Sequence, residues 1–185
     1  MKRFFIASLA MLCLCVSVVN ADQITFTVGT DFNGEFWDGP GSPFNETGNF
    51  FIAPDAVVTG LGWDVVTTSF GASWGSEQVF GFGNDFVEIN LTASATAAPV
   101  AGEANSSGGI LNFADFAIPD IVLDADGLLF FELSETFDDA PGQIDGVWEA
   151  GSTITFEFTS DAIPEPTAAT ALMLSGLAVL VRRKR

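Results

Sequence analysis

The sequence predicts an all-β fold over residues 22–162, and within that class an antiparallel β-sandwich of the jelly-roll type. Three observations predict it. Polar and apolar residues alternate with period two in many short segments, clusters of turn-forming residues separate these segments, and no window of this range sustains a helical stripe. About eight or nine short strands in a range of this length are typical of two packed antiparallel sheets.

The individual strands are predicted from this alternation. It is clearest at residues 23–28, 86–92 and 152–159. Shorter apolar runs predict the other strands, at residues 49–53, 57–68, 78–82, 110–113, 121–123 and 128–133. Clusters rich in Gly, Asn, Asp, Ser and Pro are predicted to form the loops, as at residues 38–43 and 104–109.

The predicted core is rich in aromatic residues, because 17 Phe and 4 Trp fall within residues 22–163. Phenylalanine buries a large area without a polar group that needs a partner, so a small domain without a disulfide can still form a core. Four tryptophans stand beside Gly or acidic residues near strand ends, and they are Trp37, Trp63, Trp74 and Trp148. Two interpretations remain open for them: exposed rings that stack on sugars, or rings that close the ends of the sandwich.

Charge is unevenly distributed along the chain. All six basic residues lie at the two ends, so residues 22–163 contain 23 Asp or Glu and no Lys, Arg or His. An ordinary domain is about a quarter charged, with both signs present. The composition of this range excludes nucleic-acid binding through the phosphate backbone, and it excludes Ser-His-Asp and Cys-His nucleophiles, Schiff-base lysines and histidine-ligated zinc.

The N-terminus has the composition of a secretory signal peptide at residues 1–21. Lys2 and Arg3 form a positive start, residues 4–19 are apolar, and small residues suit cleavage after Ala21. We therefore expect signal peptidase to process the chain during export. Both cysteines of the chain lie inside this segment, so the mature chain has no disulfide even in an oxidising compartment.

At the C-terminus the apolar segment comes first and the basic residues follow it, which is the reverse of the order at the N-terminus. An apolar run at residues 168–181 precedes a basic tail at residues 182–185. As a helix the run would span about 21 Å, which is short of the roughly 30 Å hydrocarbon core of a bilayer. We expect a short membrane helix with transient inner-membrane insertion, its basic tail on the cytoplasmic side and residues 22–162 outside.

Residues 163–185 resemble the PEP-CTERM sorting signal, since the tripeptide Pro164-Glu165-Pro166 is followed by the short hydrophobic run and the arginine-rich end. The resemblance implies that an exosortase recognises this tripeptide, and that the protein reaches the cell surface or the extracellular matrix of an exopolysaccharide-producing, biofilm-forming bacterium. It carries over no enzymatic activity. Three further segments are similar to parts of many PEP-CTERM ectodomains, and they are residues 58–65, 73–77 and 131–148.

Carboxylates are the only ionisable side chains within residues 22–163, so no salt bridge inside this range can neutralise them. Ca²⁺ takes six to eight oxygen ligands and tolerates irregular loops. Candidate calcium ligands fall in two clusters, which are Asp124, Asp126 and Glu132, with Glu135 as a further option, and then Asp138, Asp139 and Asp145. Their spacing does not match an EF-hand, and a solvated turn remains the alternative for both clusters.

These observations favour a non-catalytic protein that is exported, sorted by an exosortase and associated with exopolysaccharide. A lectin-like carbohydrate-binding module is the first alternative, with the tryptophan rings stacking on sugars. A carboxylate-based glycoside hydrolase is the second, because such an enzyme needs only two carboxylates about 5 to 10 Å apart. We expect no enzyme and no nucleic-acid partner, and calcium is the candidate cofactor.

Overall fold

The structure, a computed structural model, describes residues 21–160. These residues form two antiparallel β-sheets and the loops that connect their strands. The predicted signal peptide, apart from Ala21, and the predicted sorting signal lie outside these residues. The larger sheet has eight strands, β1 (Asp22–Thr27), β2 (Glu35–Phe36), β4 (Val57–Ser69), β7 (Glu103–Ser106), β8 (Leu111–Asn112), β9 (Ile121–Val122), β11 (Gly146–Trp148) and β12 (Thr153–Thr159). The smaller sheet has four, β3 (Glu46–Phe51), β5 (Gln78–Gly83), β6 (Glu88–Leu91) and β10 (Leu128–Glu135).

Strand β4 pairs with five other strands of the larger sheet, whose main path runs β1-β12-β4-β11-β2. It is 13 residues long, and its length lets it pair with several short strands in succession. On one side it pairs with β12 and then β11. On the other side it pairs with β9, β8 and β7 in turn. The smaller sheet has the order β3-β10-β5-β6.

Phenylalanine side chains join the inner faces of the two sheets. Phe26 of β1 stacks on Phe50 of β3 with ring centroids 4.0 Å apart, and Phe50 stacks on Phe131 of β10 at 4.3 Å. Phe82 of β5 meets Phe156 of β12 edge to face at 5.3 Å. Such ring pairs stabilise the fold beyond the area they bury. The prediction of an aromatic core between two antiparallel sheets is therefore confirmed.

The nine predicted strand segments each overlap a strand of the structure, but three further strands were missed. β2 and β11 have only two and three residues. β7 overlaps residues 104–109, which were predicted to be a loop, so that prediction was wrong in part. Its side chains are polar or small, and it is a strand because its backbone pairs with β4 rather than because it buries an apolar face.

Residues 21–160 contain no α-helix, and their helical structure is confined to two 3₁₀ turns, Gly75–Glu77 and Phe113–Phe116. Asn112 caps the second turn, because its side chain accepts a hydrogen bond from the backbone of Ala114 at 2.9 Å. No helix in this described part of the chain has the length and apolarity needed to cross a membrane.

Candidate functional site

The outer face of the smaller sheet carries a trough floored by two glycines of β5, Gly81 and Gly83. Strand pairing places Glu132 of β10 opposite Gly81 and Phe130 opposite Gly83. Side chains alternate across a strand, so these two β10 residues share the outward face with the glycines. Gly81 has no side chain, and a depression of about 200 Å³ remains beside it along β5, whereas at Gly83 the backbone carbonyl of Val87 occupies the place of a side chain. We call it the glycine trough.

The opposite wall of the glycine trough is polar. Asn90 and Glu88 of β6 pair with Gly81 and Gly83, and Asn84 lies at the end of the trough. A Cβ placed on Gly81 would lie 3.0 Å from Asn90 Oδ1 and 3.7 Å from Glu88 Oε1. Both side chains therefore lean over the glycine floor, and a larger residue at position 81 would fill the trough.

Glu132 is held in a fixed orientation at the aromatic wall. Its Oε1 accepts hydrogen bonds from the backbone N–H of Gly41 and from Asn45 Nδ2, both at 2.7 Å. Asn45 is itself oriented, because its Oδ1 accepts a bond from the Asp38 backbone at 2.9 Å. The ring of Phe130 beside it is 45 % exposed. An exposed ring facing carboxylate and amide groups can stack on the apolar face of a ligand, while those groups accept hydrogen bonds from its hydroxyls.

Trp148 is a core residue and is therefore removed from the set of candidate sugar-stacking rings. Only 1 % of its surface is exposed, and its ring packs edge-on against Phe36 at 5.4 Å and lies 5.6 Å from Phe80. A ring covered on both sides by core side chains cannot contact a ligand in solvent. Of the two interpretations open for Trp148, structural packing is the one the structure shows.

The other three tryptophans are at least partly accessible, but none lines the glycine trough. Trp37 is half-buried, stacks on Phe44 with centroids 6.5 Å apart and donates its ring N–H to Glu35 at 3.3 Å. Trp74 is 42 % exposed and precedes the first 3₁₀ turn. The exposed ring beside the trough is thus a phenylalanine, Phe130, which was not among the residues singled out from the sequence.

Trp63 lies on β4 and is half-buried against the core. It lines a shallow groove of about 400 Å³ on the larger sheet, together with polar side chains such as Asp64 and Thr155. Its buried Nε1 has no hydrogen-bond partner among the described residues. This groove brings Trp63 together with polar groups, so a lectin-like role for Trp63 remains an alternative.

The first predicted calcium cluster is not brought together. Asp124 and Asp126 are exposed in the turn before β10, where Asp126 Oδ1 accepts the Leu128 N–H at 3.1 Å. Glu132 lies on β10, four residues of extended strand beyond Leu128, a rise of about 13 Å away from the turn. The two aspartates and Glu132 therefore cannot bind one ion, and the Asp126 carboxylate serves as a turn-stabilising group.

Glu135 instead joins the second predicted cluster, with Asp145 and Asp138, and Gln78 completes the group. Glu135 and Gln78 are paired residues of β10 and β5, and Asp145 directly precedes β11. Glu135, Asp145 and Gln78 are 0 %, 2 % and 1 % exposed. We call these four residues the buried acidic cluster. Asp139 lies at its exposed rim.

The oxygens of the buried acidic cluster are short of hydrogen-bond donors. Glu135 Oε2 accepts a bond from the Ser73 hydroxyl at 3.3 Å. Four other oxygens are buried without a partner among the described residues, and they are Glu135 Oε1, Asp138 Oδ1, Asp145 Oδ2 and Gln78 Oε1. Buried acceptors without donors are rare, because each costs free energy when water is removed.

Burial and repulsion from neighbouring carboxylates both disfavour the charged forms of Glu135 and Asp145. Burial, followed by the charge of Asp145, raises the pKa of Glu135 to about 8 from an ordinary value of 4.5. Burial also raises the pKa of Asp145; a hydrogen bond from the Ala140 backbone opposes this shift, and repulsion from Asp138 and Asp139 adds to it. Among residues 21–160, no group of three or more carboxylates is arranged to hold a metal ion.

Comparisons with known proteins do not place the chain in a family. No protein-family model and no curated protein matches it. A solved structure described as "Structure of infectious bursal disease virus Gx strain" aligns with 97 % of this chain and 55 % of that chain, at 15 % sequence identity and a TM-score of 0.27. The chain thus spans about half the length of that viral chain.

Proposed function

We propose that this protein is an exported, exosortase-sorted, acidic surface or matrix protein that binds exopolysaccharide through the glycine trough without catalysing a reaction. In this proposal the two sheets form a jelly-roll-like sandwich that serves as a rigid scaffold. One observation supports the binding role above the others: the exposed Phe130 ring borders a depression that is also lined by Gly81, Glu132, Glu88 and Asn84. An aromatic surface with a few fixed polar groups is typical of ligand sites.

The charge of the domain restricts which polymer it can bind. Residues 21–160 contain no Lys, Arg or His, so an acidic polysaccharide would meet only like charge. We expect a neutral or amino-sugar polymer to bind directly, and an acidic polymer to bind only with a bridging divalent cation. The salt dependence of binding then distinguishes these cases, since screening weakens attraction to an amino sugar and leaves neutral sugar binding unchanged.

The binding role is tested by co-sedimentation of the full chain, in mild detergent, with the producing organism's exopolysaccharide. Phe130→Ala should weaken binding about tenfold, because it removes the exposed stacking surface. Phe137→Ala is the matched control, since Phe137 is 63 % exposed and does not line the trough. Equal binding by both variants would refute the trough as the site.

A glycoside hydrolase is a second candidate function, because Glu88 and Glu132 line the same trough. Such enzymes place two carboxylates on either side of the scissile bond. Incubation of the full chain with the secreted polymer, followed by a reducing-sugar assay, tests this function. Turnover that is lost in both Glu88→Gln and Glu132→Gln would replace the binding proposal by a catalytic one, and absence of turnover in the wild type would remove the hydrolase.

The export part of the proposal depends on Pro164, Glu165 and Pro166 and is tested separately. Replacing Pro164 and Pro166 by Ala should leave the protein in the inner membrane with its basic tail attached, because proline disfavours helical conformations of the residue before it and the proposed recognition is of an extended peptide. Cell fractionation and mass measurement of the C-terminus detect this. Release of the double variant at the wild-type level would refute exosortase recognition.

A further inference from the structure

We propose that Glu135, Asp145 and Gln78 of the buried acidic cluster form a binding site for one divalent cation, with Ca²⁺ as the ion that best fits its oxygen ligands. The site is separate from the glycine trough, so the two proposals can fail independently. It also differs from the exposed Asp124 and Asp126 turn, where the sequence placed its first calcium candidates.

The unpartnered oxygens point to a ligand. Gln78 is the most informative residue, because its amide is neutral and no change of its own protonation can satisfy a buried carbonyl oxygen. Its Nε2 donates to the Thr68 carbonyl at 3.0 Å, which orients the side chain and leaves Oε1 buried without a donor. A single proton on Glu135 or Asp145 would serve one acceptor, whereas in this proposal one cation takes all three oxygens as ligands.

The charge balance favours the same conclusion. When both are ionised, Glu135 and Asp145 carry a charge of −2, and residues 21–160 contain no Lys or Arg that could compensate it. Isolated buried charges cost several kcal/mol each. A divalent cation between Glu135 and Asp145 neutralises the pair, and the negative charge of Asp138 and Asp139 at the entrance attracts cations to it.

The ligand set distinguishes between cations. No group of three or more carboxylates among the described residues is arranged to hold a metal ion, so the proposed side-chain ligands are two carboxylates and one amide oxygen, and water would complete the coordination. Ca²⁺ accepts such irregular, mixed oxygen ligands, whereas Mg²⁺ demands a near-ideal octahedron and releases its water reluctantly. We therefore expect Ca²⁺ to bind more tightly than Mg²⁺.

The position of the site predicts a structural effect. Glu135 and Gln78 belong to the smaller sheet, and Asp145 precedes β11 of the larger sheet. One ion bound by all three would link the two sheets at this end of the sandwich. Because the unfolded chain lacks this arrangement, binding should stabilise the folded state by mass action.

The test is calorimetric titration of the full chain with CaCl₂ in slightly alkaline buffer at physiological ionic strength. The wild type should show one site that is tighter than the weak background of a polyanion. Glu135→Gln with Asp145→Asn should weaken this site about tenfold or more, since it removes two ligands. Asp124→Asn with Asp126→Asn removes the same charge from an exposed turn and should leave the site intact.

A second measurement keeps the result independent of misfolding. CaCl₂ should raise the Tm of the wild type more than NaCl of equal ionic strength, and this excess should vanish in the Glu135→Gln, Asp145→Asn variant, whose near-UV circular dichroism reports that the core is intact. A wild type without a tight site would overturn the proposal. Loss of the site in the Asp124→Asn, Asp126→Asn control would also overturn it and assign the ion to the turn.

Discussion

Glu135 and Gln78 lie directly opposite each other on β10 and β5, and the Oε1 atom of each is buried without a hydrogen-bond partner among the described residues. Two facing hydrogen-bond acceptors cannot bond to each other. Burying them therefore costs free energy unless a proton or a cation is taken up between them. The pair belongs to a domain without a single basic side chain between residues 21 and 160. The protonation of its buried carboxyls, and with it the stability of the fold, should therefore depend on pH and on divalent cations more than in a domain with basic side chains.

The stability of the calcium-free protein should fall with rising pH. The pKa of Glu135 is about 8 in the folded chain, above its ordinary 4.5, so the folded state holds the proton more tightly than the unfolded state. Its stabilising contribution is complete below pH 4.5 and is lost as the pH rises towards 8. Urea unfolding of the full chain in EDTA, at a series of pH values, measures this slope.

Glu135→Gln identifies the residue responsible for that slope. The variant keeps the shape of the side chain and cannot ionise, so its unfolding free energy should vary less steeply over the same pH range. Asp85→Asn removes one charge from an exposed position and should keep the wild-type slope. If the Glu135→Gln curve runs parallel to the wild type, the pH dependence comes from the general negative charge of the domain.

Two glycines of the same strand should respond differently to alanine. Gly81→Ala places a methyl group near Asn90 and Glu88 side chains that can move, so it should weaken polysaccharide binding while changing the unfolding free energy by less than about 1 kcal/mol. At Gly83 the new methyl group would collide with the backbone carbonyl of Val87, so Gly83→Ala should cost about 1–3 kcal/mol of stability.

Thermal unfolding and co-sedimentation of both glycine variants check this contrast. Binding in the trough requires that Gly81→Ala lose affinity without losing stability. Unchanged binding in Gly81→Ala would mean that the trough floor is not in contact with the polymer. An undisturbed Tm in Gly83→Ala would contradict the close approach of the β5–β6 turn to this glycine.

Tryptophan substitutions separate packing from ligand contact. Trp148→Ala should lower the unfolding free energy by about 3–5 kcal/mol, because it opens a large cavity beside Phe36 and Phe80. Trp74→Ala should change it by no more than about 0.5 kcal/mol, since Trp74 is 42 % exposed. Urea unfolding of the two variants measures both values, and a similar loss in both would contradict the burial assigned to these residues.

The fold class could be predicted because its signals are local. Alternation with period two and turn-forming clusters identified segments that overlap nine of the strands, including the long β4 as residues 57–68. β7 carries no such signal, because Glu103–Ser106 is polar and becomes a strand only through pairing with β4. A strand that depends on a neighbour distant in sequence cannot be identified from its own residues.

The candidate sites were even harder to predict from the sequence than β7, because their residues come together only through the register of paired strands. The sequence analysis did not single out Phe130 from the core phenylalanines, and only the strand pairing shows that it lies beside the glycines of β5. Similarly, Gln78 joins Glu135 because β5 and β10 are paired. The signal that could have been used is alternation itself: Phe130 and Glu132 share one face of β10, and the buried Leu129 and Phe131 share the other.

The most direct test of the central claim is an amide NMR titration of the full chain, in detergent, with oligosaccharides cut from the exopolysaccharide. We predict that shifts concentrate at Gly81, Gly83, Asn84 and Phe130, which line the trough. Shifts confined to the groove at Trp63 on the larger sheet, or no shifts at saturating oligosaccharide, would contradict polysaccharide binding in the glycine trough.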